Sequence, residues 1–289
     1  MRARYPDLEG FVEYDDSRVG FEVYGTGYPP IMFVPPWSIV HSRIWKAQIP
    51  DFARRHRVIA WDARGNGRSD RPREPSAHTD QAIARDLLAV LDASGTDVAI
   101  LVGLSGAAVP AIMVAAERPD RVLGLVLIGP AVPLGIRPPE RNVDFEAILD
   151  TDEGWAKQTR DFWRRDFGAY LGFFFSEMFN EPHSTKQIED GVDYGSSTDP
   201  ATLGATMYTE SVDADSFLRM CASVRCPVLI IQGDRDAITG LSRGSELSRA
   251  IPQAQFEILE GAGHGPNARD PIRVNLLIRE FVRDLARSP

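Results

Sequence analysis

Short apolar runs alternate with longer segments of helical periodicity along most of this chain. Six apolar runs have the length of buried strands, and they cover residues 31–34, 57–61, 98–102, 122–128, 227–232 and 256–259. Two further strand-like runs flank the turn residues 15–17 and predict a hairpin of 10–14 with 20–24. Continuous apolar runs are typical of parallel strands that are covered on both faces. The pattern therefore predicts an α/β fold with a doubly wound, mostly parallel eight-stranded sheet and helices on both faces.

The helices between these strands carry start and stop signals. Thr79 can cap a helix that ends at Gly95, and its apolar positions fall on one face at Ile83, Leu87, Val90 and Leu91. An alanine-rich helix is predicted over 106–117, where Pro110 would remove an early hydrogen bond and leaves the start of the helix undetermined.

The last helix is the most clearly marked. Asp270 and Pro271 supply its cap and first position. Its apolar stripe follows helical spacing through Val274, Leu277, Ile278, Phe281, Val282 and Leu285.

Residues 131–215 interrupt the strand alternation and concentrate aromatic side chains. We interpret this segment as an inserted helical lid, with 1–130 and 216–289 forming the core. Ser184 with Gln187 predicts a capping box, and Asp199 before Pro200 marks a second helix start. Most of the aromatics should pack the lid itself, while some should face the substrate.

Charge and composition narrow the range of partners. A net charge of -9 and a pI near 5.1 argue against nucleic acid or an anionic membrane, because those partners favour clustered Lys and Arg. We therefore expect a small, neutral or weakly charged ligand, no cofactor and no metal; a homodimer is left open. The N-terminus has no apolar signal region, so the expected location is the cytoplasm. Cys221 and Cys226 are expected to be reduced structural thiols.

A serine lies where a strand-like run meets a helix-like one. Gly103-Leu104-Ser105-Gly106-Ala107 matches the nucleophile elbow G-x-S-x-G, except that Ala107 replaces the last glycine. The N–H groups at the start of the following helix could hold an oxyanion, and that of Gly106 is the expected first donor. The alternative is a serine that only caps a helix.

Two further residues complete a triad in the order Ser, acid, His. Asp236 follows the strand run at 227–232, and His264 lies in a glycine-rich loop after the last strand. Serine needs an imidazole to take its proton, and the imidazole needs a carboxylate to fix its tautomer. We therefore predict Ser105 as nucleophile, His264 as base and Asp236 as the orienting acid.

These motifs together resemble the α/β-hydrolase superfamily, in the branch of esterases, lactonases, cofactor-free haloperoxidases and carbon–carbon hydrolases. The run 62–69 resembles the family loop D-x-R-G-x-G-x-S, which we interpret as structural, and 233–236 resembles the family acid turn. In that turn the second aspartate is normally catalytic, which favours Asp236 over Asp234. The stretches 37–43 and 181–186 resemble a group of actinobacterial relatives, which adds no substrate.

The resemblance also implies an oxyanion site with one departure. Where the family usually has His-Gly after its third strand, this chain has Pro35-Pro36 and then Trp37. The N–H just after that dipeptide is the second donor in relatives, which points to Trp37. The prolines lack an N–H but are not required to donate.

The predicted function is hydrolysis of an ester, lactone or similar acyl bond in a small, mostly apolar substrate. The pocket is expected to include Leu104, Pro36, Phe174 and Trp163. Serine at the elbow excludes haloalkane dehalogenases and most epoxide hydrolases of this fold, because their mechanism needs an aspartate nucleophile at that position. Carbon–carbon hydrolysis, a perhydrolase using the same triad, and a non-catalytic ligand receptor on this scaffold remain alternatives.

Overall fold

The computed structural model describes residues 4–14 and 16–285. Its eight strands form one sheet: β1 (Leu8–Tyr14), β2 (Ser17–Tyr24), β3 (Ile31–Val34), β4 (Val58–Trp61), β5 (Ala99–Leu104), β6 (Val122–Ile128), β7 (Val228–Gly233) and β8 (Ala254–Leu259). The spatial order is β1-β2-β4-β3-β5-β6-β7-β8, with antiparallel pairing only for β1–β2 and β2–β4 among the described residues. The predicted sheet is confirmed, and the predicted hairpin is present, although Asp15 of its turn lies outside the described residues.

Ten α-helices occur in the described chain: α1 (Ile49–Phe52), α2 (Asp80–Ala93), α3 (Ala108–Glu117), α4 (Arg160–Met178), α5 (Thr185–Gly195), α6 (Pro200–Ala205), α7 (Ala214–Ser223), α8 (Leu241–Ala250), α9 (Pro266–Arg269) and α10 (Pro271–Leu285). Among the residues described, none of these helices has the length and apolar character needed to cross a bilayer.

Alternate side chains of the central strands point to opposite faces of the sheet, so each strand contributes to two hydrophobic cores. On one face, residues such as Phe33 and Val102 pack with α1 and α10. On the other, residues such as Met32 and Leu101 pack with α2, α3, α7 and α8. Burial on both faces explains why these strands are continuous apolar runs in the sequence.

The segment between β6 and β7 is mainly helical, in agreement with the interruption of strand pattern in the sequence. Its longest helix, α4, is broken at Asp166, whose φ of -152° and ψ of 77° are not helical. The Asp166 carboxylate accepts a hydrogen bond from the Ala169 amide at 2.9 Å, which caps the second half of the helix. The two halves of α4 therefore do not share one helical phase.

Helix caps largely follow the sequence signals. The side chains of Thr79 and Asp199 accept hydrogen bonds from the first turns of α2 and α6, as predicted. The predicted capping box at Ser184 is wrong. The Ser184 hydroxyl donates to the Glu181 carbonyl and accepts from Arg269, so it is occupied by tertiary contacts and leaves the first turn of α5 uncapped by its side chain.

The loop 62–69 has a structural role through a buried ion pair. Arg64 donates from Nε and Nη2 to the two carboxylate oxygens of Asp86 in α2, each at 2.7 Å, and both side chains are almost completely buried. This two-pronged contact fixes the loop against α2.

We expect Asp86→Ala to lower the free energy of unfolding by about 3–5 kcal/mol, because it leaves the Arg64 guanidinium buried without its carboxylate. Urea denaturation followed by circular dichroism measures this loss. Asp92→Ala is the matched control on the same helix: Asp92 pairs with Arg121 but its side chain is 67% exposed, so we expect a loss below about 1 kcal/mol. Equal losses in the two variants would contradict the structural role of the pair.

Candidate active site

Ser105 lies at the junction between β5 and α3. A single 3-10 turn, Ser105–Ala107, connects the strand to the helix. Ser105 has a φ of +56°, in the left-handed region that non-glycine residues rarely occupy. A strained serine between strand and helix is the geometry of a nucleophile elbow, which exposes the hydroxyl above the sheet edge.

The replacement of the last elbow glycine by Ala107 is accommodated through Gly103. Ala107 is fully buried, and a Cβ built on Gly103 would lie only 2.8 Å from the Ala107 Cβ. The absence of a side chain at Gly103 therefore provides the space that the Ala107 methyl group occupies.

His264 and Asp236 form a buried pair. Nδ1 of His264 is hydrogen-bonded to Oδ2 of Asp236 at 2.8 Å, and the histidine is 2% exposed. The His264 amide donates to the Met178 carbonyl at the end of α4, which fixes the loop that carries the ring. Gly129, with φ +50°, lies so close that a Cβ there would be 3.0 Å from the ring Nδ1. The ring is therefore held on both sides.

The Asp236 carboxylate accepts hydrogen bonds from five donors. Oδ1 accepts the amides of Ile238 and Thr239, and Oδ2 accepts the Thr239 hydroxyl and the Gln232 side-chain amide in addition to His264. Burial alone would raise the pKa of Asp236, but His264 and the Thr239 donors outweigh it and hold the pKa well below its usual range. Asp236 is therefore a carboxylate positioned to bind the histidine ring. Asp234, by contrast, is exposed and accepts the Gly261 amide in a turn.

A cavity of about 400 Å³ opens beside Ser105. Most of the residues predicted for the site line it together: Ser105, His264, Gly106, Trp37, Pro36, Leu104 and Phe174. Asp236 lies behind His264 and does not line the cavity. The structure therefore brings Ser105, His264 and an apolar wall to a common space.

Trp37 is adjacent to the elbow through its main chain and to the segment between β6 and β7 through its side chain. A Cβ built on Gly106 would lie 3.5 Å from the Trp37 amide nitrogen, so the two predicted oxyanion donors are neighbours. The Trp37 indole donates to the Thr206 hydroxyl at 2.7 Å and packs edge-on against Phe174 at 5.6 Å. The indole thus connects the segment between β6 and β7 to the sheet edge.

Trp163 is not brought to this cavity. It is 1% exposed and packs against Phe145 and Tyr170, with ring centroids 4.9 and 4.5 Å away. It borders a second, separate cavity instead. The break at Asp166 lies between Trp163 and Phe174, so one helical periodicity does not relate their directions, and Trp163 reaches the site through Trp37, with ring centroids 6.3 Å apart.

Three arginines that the sequence did not single out also line the cavity: Arg137, Arg141 and Arg243. The first two follow β6, and the third lies on α8. The available signal was two arginines four residues apart, which lie 9 and 13 residues after the end of β6. His78 lines the cavity as well, but its Nε2 is hydrogen-bonded to the Pro72 carbonyl at 2.9 Å.

Known proteins share this architecture and length. A non-heme haloperoxidase from Rhodococcus erythropolis is 27% identical over 281 residues, which cover 93% of this chain and 97% of that protein. A 3-oxoadipate enol-lactonase 1 from Acinetobacter baylyi is 24% identical over 264 residues, covering 89% and 90%. The crystal structure of an esterase, RhEst1 from Rhodococcus sp. ECU1013, superposes with a TM-score of 0.77 at 28% identity, covering 95% of this chain and 98% of that one.

The family model described as alpha/beta hydrolase fold matches residues 29–271, which include the elbow, the acid turn and the histidine loop. The eight-stranded sheet and the position of Ser105 between β5 and α3 agree with this match. This chain is therefore a member of the α/β-hydrolase family.

Proposed function

We propose that this protein is a serine hydrolase that cleaves an ester, lactone or similar acyl bond in a small substrate with a mostly apolar body. The observation that carries the proposal is a left-handed serine at a strand–helix junction that shares its cavity with a carboxylate-bound histidine. Similarity to an esterase and an enol-lactonase supports the choice of bond. A haloperoxidase among the relatives keeps peroxide as an alternative acceptor to water.

In the proposed first half-reaction, the Ser105 hydroxyl attacks the acyl carbonyl carbon while Nε2 of His264 accepts the hydroxyl proton. The carbonyl oxygen becomes an oxyanion and accepts hydrogen bonds from the Gly106 and Trp37 amides. Asp236 stabilises the resulting imidazolium through Nδ1. The tetrahedral intermediate then collapses, His264 gives its proton to the departing alkoxide, and an acyl ester on Ser105 remains.

The second half-reaction repeats these steps with water. His264 removes a proton from water, which attacks the acyl carbon, and the oxyanion is held by the same two amides. Collapse releases the carboxylic acid and returns the proton to Ser105. No group outside the chain is needed for this sequence of bond changes.

Labelling with a fluorophosphonate tests the proposal, because such probes react with serines that a neighbouring base activates. We expect one equivalent of probe on Ser105, identified by peptide mapping. Ser211→Ala is the matched control, since Ser211 lines the same cavity outside the elbow, and it should leave labelling intact. Absence of label on folded wild-type protein would overturn the proposal and favour a non-catalytic receptor.

A further inference from the structure

The cavity beside Ser105 has a strongly basic part. Arg137 and Arg141 reach it from the segment after β6, and Arg243 reaches it from α8. This local concentration of positive charge is opposite in sign to the net charge of -9 of the whole chain. Positive charge in the cavity of the candidate nucleophile favours ligands that carry negative charge.

The guanidinium groups are incompletely satisfied. Arg141 donates from Nη1 to the Ile238 carbonyl at 2.6 Å and stacks over the Trp155 ring at 4.4 Å, yet its Nε is buried without an acceptor. The Nε of Arg243 is likewise buried and without an acceptor. In the chain as described, residues 4–14 and 16–285, none of the three arginines forms an ion pair with a carboxylate.

The three positive charges also repel one another. Burial, with a further contribution from Arg137, lowers the pKa of Arg141 to about 10 and lowers the pKa of Arg243. Burial lowers the pKa of Arg137 as well. All three remain cations at neutral pH, and partly buried cations are normally paired or hydrogen-bonded. An anion at this position would supply the missing acceptors.

Carboxylates of the protein do not fill that role. Asp236 is close enough to favour the charged forms of Arg141 and Arg243, but its two oxygens are already occupied by five donors. Asp80 also lines the cavity, where burial raises the pKa of its carboxyl to about 6, and it forms no ion pair with the arginines. The cavity therefore leaves donor groups of Arg141 and Arg243 available to a ligand.

We propose that the substrate of this site carries a carboxylate group, which Arg141 and Arg243 bind with Arg137 beside them, while the scissile acyl group lies at Ser105. This inference rests on the proposed hydrolase function and refines its substrate class to acids that also contain an ester or lactone bond. Guanidinium suits this role because its planar N–H groups match the two oxygens of a carboxylate. This proposal differs from the sequence-based expectation of a neutral or weakly charged ligand.

Two matched ester pairs test the inference. In the first, the para-nitrophenyl monoester of glutaric acid is compared with its methyl-capped diester; in the second, para-carboxyphenyl butanoate is compared with its methyl ester. We expect the wild-type protein to prefer the anionic member of at least one pair in kcat/KM. Arg141→Met and Arg243→Met should each reduce that preference by about tenfold to hundredfold, the usual effect of losing a charge-assisted hydrogen bond.

Control variants separate this effect from charge and folding. Arg249→Met removes a cation from the helix that also carries Arg243. In the described chain Arg249 forms an ion pair with Glu246 at the surface, so this variant should leave the preference for the anionic ester unchanged. Arg141→Lys keeps the charge but loses the fork, so it should retain part of the preference. Thermal melts identify any variant that fails to fold.

A direct binding measurement distinguishes failure of the carboxylate inference from failure of the proposed hydrolase function. Glutarate is titrated calorimetrically into Ser105→Ala protein with and without Arg141→Met, and arginine-dependent binding is expected. Normal fluorophosphonate labelling without any anion preference or arginine-dependent glutarate binding would overturn the carboxylate inference alone. Absence of labelling together with arginine-dependent glutarate binding would overturn the hydrolase and retain the anion site.

Discussion

Replacement of His264 by alanine is expected to lower kcat for an activated ester on the order of 10⁵-fold. Without the imidazole, the Ser105 hydroxyl has no base to accept its proton, and the leaving group has no acid. The ring is 2% exposed, and its Nδ1 is hydrogen-bonded to Asp236. Pre-steady-state and steady-state hydrolysis of a para-nitrophenyl ester measures the loss, and fluorophosphonate labelling should fall with it.

The matched control is His183→Asn, which removes an exposed histidine outside the cavity. His183 has a φ of +64°, a conformation that asparagine tolerates, so the control should fold and keep wild-type activity. Added imidazole should partly restore activity to His264→Ala by occupying the vacated space. A folded His264→Ala protein that retained a tenth of wild-type kcat would contradict the assignment of His264 as the base.

The sheet could be predicted from the sequence because its central strands are buried on both faces. Burial removes polar residues from the strand, so the run itself marks the element, and β3 and β6 have the predicted bounds. The start of α3 could not be predicted. Ser105–Ala107 forms a 3-10 turn, α3 begins at Ala108, and Pro110 falls in its first turn, where the missing N–H removes no intrahelical bond.

The residues of the proposed triad could also be selected from the sequence, because each follows a strand in a short local motif. Ser105 comes directly after β5, Asp236 lies three residues after β7, and His264 lies five residues after β8. Parallel strands bring these carboxyl ends to one edge of the sheet. The geometry adds that Gln232 and Thr239 bind the acid, a tertiary feature that the local motif does not contain.

The pocket wall was less predictable. Trp163 and Phe174 both lie on α4, and a continuous helix would relate their directions by simple periodicity, but Asp166 breaks the phase between them. The three arginines could not be predicted as pocket residues for a different reason. Arg137 and Arg141 are separated from Arg243 by about a hundred residues, and in a chain of net charge -9 each is expected at a solvated surface. Only the fold shows that they share one cavity.

The hydrogen bonds around Asp236 predict a large loss of kcat when this residue is replaced. Five hydrogen-bond donors point at its two oxygens, three at Oδ2 and two at Oδ1. A carboxylate accepts all five, whereas an asparagine in either orientation must direct its NH2 group at a donor. Placing that group at Oδ1 opposes two backbone amides, which cannot reverse their role. Placing it at Oδ2 lets the Thr239 hydroxyl rotate and accept but forces Nδ1 of His264 to become an acceptor.

Asp236→Asn is therefore expected to lower kcat by about 10⁴-fold while leaving the fold in place, because the wrong tautomer of His264 carries its proton on Nε2, the atom proposed to accept the Ser105 proton. Ester hydrolysis measures kcat, and thermal melts monitor folding. Asp234→Asn is the matched control two residues away, where an exposed carboxylate accepts only the Gly261 amide at 2.7 Å in the described structure, and it should keep activity within about threefold. The opposite result, with Asp234→Asn inactive and Asp236→Asn active, would transfer the acid role to Asp234.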